Sequence, residues 1–440
     1  MANTSNKTWL WVLVLVGVAG YLGWRTYSTL ASESVSENDA DEPLVASAAV
    51  EDSRAQPEPV PDYWDTPEET PLWTGRPDAI VNQVHAALKS WPLDKPLPRE
   101  VWPLTTTAAQ LRQGPVEAYP LEAAMLATAA IRRGGTRANI AEVWEYPTEG
   151  SPADPLGRIG YYAVAVFDSD DLEAARLLDP WGGRADAAGA SYRVLTDDAV
   201  NAAAMGLSVY QASEDPVAEQ PATTDLKPAL AADPESPVLA AQHAALLLAE
   251  REIDAAIAAM DEAYALRADP ARRLLLANAD LLRALKERVR NRETGAEEAE
   301  ALFDRALSTA SSVTQSHPRY WRAYEVLANI HMTGLELDEA EAALARADEV
   351  AGDAAGTAST WTSLYLRRRE PQRAVERFLR AVEERPDDWR LRIELAGLLQ
   401  RAGQPSDPAW LEAIARAPAD KKEGVRELAT NALGREPRQP

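Results

Sequence analysis

The sequence predicts one N-terminal transmembrane helix, then an α+β domain, then an all-α solenoid of helical repeats. Three observations predict this order. Residues 8–24 carry no charged side chain, residues 71–210 combine an apolar helix pattern with strand-like runs, and residues 238–432 show helical periodicity punctuated by Pro and Gly. A chain of 440 residues is long enough for several such regions.

Composition excludes several classes of function before any motif is considered. The formal net charge is -24, with 45 basic against 69 acidic residues, so a broad surface for nucleic acid phosphates is not expected. The chain has no cysteine, which excludes disulfides, thiolate metal sites and cysteine nucleophiles. Its four histidines share no metal-ligand spacing. We therefore expect no nucleic acid partner, no metal and no cofactor.

The first element, residues 1–25, is predicted to be a membrane anchor. The uncharged run, residues 8–24, is just long enough to cross a thin hydrocarbon core, and aromatic residues lie near both of its ends. A secretory signal cleaved after Ala31 is the alternative, but the aromatic ends favour a retained anchor. The short N-terminal tail has no acidic residue. We therefore expect a single-pass inner-membrane protein of bacterial type, with the bulk of the chain in the periplasm.

The second element, residues 26–70, is predicted to be an acidic tether. It contains twelve acidic residues and one basic residue, Arg54, in a stretch rich in Ser, Pro and Ala. Such a composition buries too little apolar surface to fold, and its charges repel one another. An acidic interaction tail is the alternative. No apolar anchor recurs within the segment, which favours a spacer.

The third element, residues 71–210, is predicted to be an α+β domain in which helices precede strands. One amphipathic helix begins near Asp78, and a second, from Tyr119 to Arg133, is so apolar that most of its faces should be buried. Three strands and a last helix follow, at residues 139–146, 161–167, 174–178 and 197–205. Residues 211–237, rich in Pro, Ala and acidic side chains, are predicted to be a linker, with the alternative that Leu226 and Leu230 dock a short helix onto the array.

The order of these elements resembles the transglutaminase-like superfamily. The resemblance rests on Gly134-Gly135 after the apolar helix, on the strand sequence YYAVAVFD, and on LLDPWGG in the strand that follows. In active relatives a cysteine opens the helix, a histidine opens the first of these strands, and an aspartate precedes the proline. Matching the motifs places these positions at Tyr119, Tyr161 and Asp179.

Only the aspartate keeps its residue type, and two tyrosines supply neither a nucleophile nor a base. The resemblance therefore implies a catalytically inactive domain, a pseudoenzyme with three vestigial positions. Asp179 is expected to hold the turn at Gly182-Gly183 instead. The alternative is a membrane-tethered hydrolase that acts on peptide or peptidoglycan bonds with other residues.

Residues 238–432 repeat the spacing of a 34-residue helix-turn-helix unit. The clearest unit has Tyr324 and Leu327 at large positions and Ala328 at a small position, and a second unit matches 34 residues later. Small residues let helix backbones approach, and large residues fill the spaces between them. A fifth hairpin begins near Leu395. One small position recurs in four units, at Ala256, Ala299, Ala340 and Ala374.

These repeats resemble the tetratricopeptide repeat family, and together with the preceding domain they resemble bacterial fusions of a transglutaminase-like domain to such repeats. Family members bind peptide and protein partners in a concave groove, so the resemblance implies an interaction scaffold. The family's groove positions, carried over one at a time, fall on Arg322, Asn329, Met332, Arg367, Arg390 and Arg401.

Four arginines in this predicted groove would suit an acidic segment or a chain-terminal carboxylate of a protein partner. The alternative is that the arginines pair with local carboxylates such as Glu325 and Glu394 as ordinary surface ion pairs.

Overall fold

A computed structural model of the chain describes residues 73–88, 111, 118–145, 159–167, 176–186, 189–217, 221–290, 296–351 and 354–438. The predicted anchor and the predicted acidic tether lie outside these residues. Among the helices within the described ranges, none is long and apolar enough to cross a membrane.

The middle region is a four-stranded antiparallel sheet with helices packed on it. The sheet order is β3-β2-β1-β4. Helix α2 packs on β1 and β2, and α1 packs on α2. The elements are α1 (Pro77–Ala87), α2 (Pro120–Arg133), β1 (Ala138–Glu145), β2 (Tyr161–Val166), β3 (Arg176–Leu178), β4 (Ser191–Val194) and α3 (Asp197–Glu214).

Two of these elements differ from the sequence prediction. Strand β4 was not predicted, because Ser191-Tyr192-Arg193-Val194 alternates polar and apolar residues over only four positions, the shortest run in which alternation indicates a strand. Helix α3 extends to Glu214, past the predicted end at residue 205. It begins where predicted, since the Thr196 side chain accepts a hydrogen bond from the amide of Ala199 and so caps the first turn.

Both faces of the sheet are covered. Side chains alternate along a strand, so Tyr161 and Tyr162 of β2 point to opposite faces, and every residue of β2 is buried. Glu142 of β1 lies opposite Tyr162 on one side and opposite Arg193 of β4 on the other, so these three share a face. Arg193 pairs with Asp233, directly before the repeats, which shows that this face is turned toward them.

The C-terminal region is an array of five helical hairpins, preceded by α4 and closed by α15. Helix α4 lies inside the predicted linker, and its Leu226 is buried against α3 and the first hairpin. The helices are α4 (Thr223–Ala232), α5 (Pro237–Ala249), α6 (Ile253–Leu266), α7 (Pro270–Arg290), α8 (Ala296–Ser316), α9 (Trp321–Gly334), α10 (Leu337–Ala351), α11 (Ala354–Arg367), α12 (Pro371–Glu384), α13 (Trp389–Arg401), α14 (Asp407–Arg416) and α15 (Lys422–Leu433).

The hairpins confirm the helical repeats predicted from the spacing of small residues. Ala256, Ala299, Ala340 and Ala374 are all fully buried, each on the second helix of its hairpin. In the first four hairpins, the two helices of each hairpin make the most extensive contacts in the array. Backbone approach at the small positions therefore builds the array, as the sequence predicts.

The turn inside the hairpins also repeats. Leu335, Arg369 and Gly403, which lie 34 residues apart, all have a positive φ near 65°, and so does Arg251 in the first hairpin. The amide of the next residue donates to a carbonyl five positions earlier, for example from Glu336 to His331 at 2.9 Å. This is the Schellman arrangement that ends a helix with a left-handed residue.

Candidate functional site

Of the three positions assigned by the predicted resemblance, Tyr161 and Asp179 are in direct contact, and Tyr119 belongs to the same hydrophobic core as Tyr161. Tyr119 precedes α2, and its backbone amide donates to Glu122 Oε2 at 2.8 Å, which fixes the start of that helix. Tyr161 opens β2, and Asp179 follows β3. The exposed fractions of Tyr119 and Tyr161 are only 2% and 1%. Both rings are therefore sealed in the core rather than presented in an open cleft.

Asp179 is the centre of this cluster. The Tyr161 hydroxyl donates to Asp179 Oδ2 at 2.7 Å, and the amides of Trp181 and Gly182 donate to Oδ1 at 3.1 and 2.7 Å. The backbone of Asp179 also exchanges two hydrogen bonds with Arg184 across the turn. Asp179 is fully buried. Its carboxylate thus holds the Gly182-Gly183 turn and the Tyr161 ring in place.

A histidine that the sequence reasoning did not assign reaches the same turn. His85, on α1, lies with Nδ1 3.1 Å from the carbonyl oxygen of Trp181. A Cβ added to Gly183 would lie 2.6 Å from His85 Nε2, so the imidazole packs directly on the glycine. Trp181 in turn donates from Nε1 to the carbonyl of Ala118 at 3.0 Å. The turn is therefore held by His85 of α1 and by the backbone just before α2. These contacts are structural and do not form a substrate path.

A second polar cluster lies on the opposite face of the sheet. Arg193 donates to Glu142 Oε2 at 3.1 Å and to both oxygens of Asp233, at 2.6 and 3.0 Å. Burial opposes the charge of Arg193, but the two carboxylates outweigh it and raise the pKa of the guanidinium. Burial, together with the negative charge of Glu142, also raises the pKa of Tyr162 well above its ordinary value.

Further contacts join the C-terminal end of β1 and the start of β4 to the first two hairpins. Arg267 lies over the ring of Trp144, 4.4 Å from its centroid, and donates to the hydroxyl of Ser191. His317 Nε2 lies 2.9 Å from Glu145 Oε1. The middle region and the array therefore share an interface rich in polar and charged side chains.

The predicted groove residues lie on the first helices of successive hairpins, but most are engaged within the chain. Arg322 donates to Glu325 Oε2 at 2.9 Å and stacks on Trp321, and Arg367 donates to the carbonyl of Met332 at 2.9 Å. Burial lowers the pKa of Arg367. Asn329 and Arg390 are buried, whereas Arg401 is exposed. The positive charge that the sequence assigns to one open groove is thus largely used inside the array.

Successive first helices are joined by a series of hydrogen bonds that the sequence reasoning missed. Thr360 donates to Glu325 and Ser359 donates to Glu394, each at 2.8 Å, and the Arg367 bond to Met332 makes a third. All three span 35 residues, one repeat plus one position. Polar residues that recur 35 positions apart on first helices are the sequence pattern that could have indicated these hydrogen bonds.

Glu325 is the most buried carboxyl of this series. Burial raises its pKa, although the charge of Arg322 and the hydrogen bonds from Arg322 and Thr360 act in the opposite direction. Within the described ranges, no group of three or more His, Cys, Asp or Glu side chains could hold a metal ion.

Comparison with known proteins gives matches of structure only. No family model and no curated protein matches the sequence. One similar solved structure is a thermophilic TPR protein from Thermus thermophilus, at 21% identity and a TM-score of 0.35, covering 40% of this chain and 89% of that protein. Another is the APC/C hetero-tetramer Cut9-Hcn1, at 14% identity and a TM-score of 0.31. That match covers 53% of this chain and 42% of the other, less than half of its length.

The helical array has a TPR-like fold. The five hairpins, the buried small positions and the 34-residue recurrence of the left-handed turn residue are the features that define it here. Nothing in the comparisons supports the predicted resemblance of the middle region to the transglutaminase-like superfamily.

Proposed function

We propose that the protein is a scaffold that binds other proteins through its helical array. The observation that carries this proposal is the run of five consecutive hairpins in one TPR-like array. Each repeat contacts only its neighbours, so stacking the repeats produces an extended surface that is available to a partner protein. A partner can therefore be held without any chemistry by the scaffold.

We propose further that the middle region is a catalytically inactive transglutaminase-like domain. Its support is the sealing of Tyr119 and Tyr161 in the core and the use of Asp179 as a structural acceptor. General acid–base and nucleophilic groups must reach a substrate. A buried tyrosine whose hydroxyl already donates to a buried carboxylate cannot do so. In this proposal the domain supports the array through the Arg193 cluster.

The proposed location is the bacterial inner membrane, with the bulk of the chain periplasmic. The uncharged residues 8–24 support it. The protein should stay in the membrane fraction at high salt and at alkaline pH, and its N-terminal sequence should begin at or near residue 1. A mature N-terminus at Ser32 would contradict the anchor and indicate a cleaved secretory signal.

The scaffold proposal is tested by photo-crosslinking of the full chain in its own cell. A photoreactive amino acid replaces Arg401, an exposed residue of a first helix, and the matched control replaces Arg380, an exposed arginine of a second helix. A discrete crosslinked protein from position 401 that is absent from position 380 is the expected result. Equal, diffuse crosslinking from both positions would contradict partner binding on the first-helix side.

A further inference from the structure

Residues 215–217, which we name the strap, connect the two ends of the helical array. Helix α3 packs on α5 of the first hairpin. Directly after α3, Asp215 forms an ion pair with Lys421 at the start of α15, and Val217 packs against the core of the last hairpins. A short stretch of chain thus spans from the first hairpin to the helix that closes the array.

The acidic end of the strap is held by two donors. Asp215 Oδ2 lies 2.8 Å from Lys421 Nζ, and its Oδ1 accepts the amide of Val217 at 3.0 Å. Asp215 is 6% exposed. Burial opposes its ionisation, but the hydrogen bonds from Lys421 and Val217 and the charges of Lys421 and Arg390 outweigh burial, so the pKa of Asp215 is lowered.

The apolar end of the strap fits a gap left by a glycine. Gly424 lies in the first turn of α15, and a Cβ added to it would lie 2.8 Å from the Cβ of Val217. Glycine is unfavourable within a helix relative to alanine. Its presence here is explained by the close approach of the valine, since any larger side chain would push Val217 out.

These contacts form a two-point site, with a cationic part at Lys421 and Arg390 and an apolar part at Gly424. We propose that this site docks an acidic peptide that carries a carboxylate two residues before a branched apolar side chain, and that the strap occupies it in cis. The inference rests on the proposed scaffold function, because a protein partner with this pattern would displace the strap. The strap therefore competes with that partner for the C-terminal end of the array.

Displacement is physically accessible because the strap is held by few contacts. Lys421 is about one-third exposed and Val217 is only half-buried. Segments with few buried contacts open at a small fraction of the free energy of global unfolding. A partner that supplies the same carboxylate and the same branched side chain would replace each contact that the strap loses.

The test uses a fluorescent peptide of residues 211–220, QASEDPVAEQ, titrated into the full chain in detergent and followed by fluorescence anisotropy. The strap-weakened variant is Asp215→Asn with Val217→Ser. The site-blocked variant adds Gly424→Leu, whose side chain fills the space that Val217 occupies. Leucine has a higher helix propensity than glycine, so helix α15 should stay folded. Equal thermal midpoints of the two variants provide the folding control.

The strap-weakened variant should bind the peptide at least about tenfold more tightly than the wild-type chain, because the strap no longer reduces the fraction of open sites. The site-blocked variant should lose this binding. A peptide with Asn in place of the Asp215 equivalent should not bind either variant. Absent binding to the strap-weakened variant, or equal binding to the site-blocked one, would overturn the proposal.

The fate of the crosslinked partner separates this inference from the scaffold proposal. If Gly424→Leu in the full chain abolishes the product from position 401, both proposals are supported. If the product persists unchanged in the wild-type, strap-weakened and site-blocked chains, the array binds its partner elsewhere. The docking site at Gly424 is then refuted while the scaffold proposal stands.

Discussion

The middle region and the helical array differ in how their buried polar side chains are connected. In the middle region the buried charges are concentrated, with three donors on Asp179 and two carboxylates on Arg193. In the array a series of equivalent hydrogen bonds joins successive first helices, beside local clusters such as Arg283 and Arg305 on the buried Asp280. Loss of Asp179 or Arg193 should therefore be severe, whereas loss of one member of the repeated series should be small and confined to neighbouring repeats.

The largest expected effect is that of Arg193→Met in the middle region. It leaves Glu142 and Asp233 as buried carboxylates without their cation, and breaking a buried pair in this way costs about 3–5 kcal/mol. Urea unfolding followed by circular dichroism measures the loss. Arg193 also pairs with Asp233, which directly precedes the repeats. If this contact couples the two regions, they should unfold in a single transition.

The matched control for Arg193 is Arg346→Ala, which removes an exposed ion pair with Glu349 in the array. It should leave the unfolding midpoint unchanged, since exposed pairs contribute little. An Arg193→Met chain as stable as this control would show that the buried Arg193 cluster contributes no more to stability than an exposed ion pair.

The next effect is that of Asp179→Ala, which leaves the Tyr161 hydroxyl and two backbone amides without their acceptor. We expect a loss of about 3 kcal/mol in the free energy of unfolding. Tyr161→Phe removes a single donor and should cost about 1 kcal/mol, with partner crosslinking intact. Loss of crosslinking or of any hydrolytic activity in a folded Tyr161→Phe chain would contradict the inactive-domain proposal and favour the hydrolase.

The contrast between the two regions also sets what the sequence could predict. The array follows from a local period, so its hairpins and its buried alanines are readable from spacing alone. The Arg193 cluster joins residues 40 and 51 positions apart and has no local pattern. The strap was predicted as a linker for the same reason. Asp215 and Lys421 are distant in sequence and pair only in the folded chain.

The predicted site residues divide along the same line. Tyr161 and Asp179, which the predicted resemblance paired, are hydrogen-bonded to each other, but residue types cannot show that they and Tyr119 are sealed from solvent. The groove arginines were placed on the first helices by the repeat frame. The frame says which helix a side chain belongs to, and it does not say that Arg322 prefers Glu325, or Arg367 a backbone carbonyl, to solvent.

A smaller effect connects the regions, that of Asp215→Asn in the strap. The pKa of Asp215 is lowered in the folded chain, so its contribution is present above the unfolded value of about 3.9 and is lost as pH falls through the folded value. We expect a loss of about 1 kcal/mol at pH 7. The difference between wild-type and variant chains in urea unfolding should shrink toward zero below about pH 4. A constant difference down to pH 3 would show that the carboxylate charge is not what holds the strap.

The smallest effect, and the one that distinguishes the repeats from the middle region most cleanly, is a gain of stability from Leu335→Gly. Leu335 is 76% exposed and has a φ of 65°, a conformation that costs a side-chain-bearing residue about 1–2 kcal/mol. Glycine removes that cost but adds freedom to the unfolded chain, so the net gain should be about 0.5 kcal/mol. Arg369→Gly should give a similar gain, because Arg369 occupies the same position one repeat later. The reverse change, Gly403→Ala, should cost about 1 kcal/mol. If the Leu335 and Gly403 substitutions shifted the unfolding midpoint in the same direction, the three turns would not be equivalent. Helix packing alone would then set the structural period of the array.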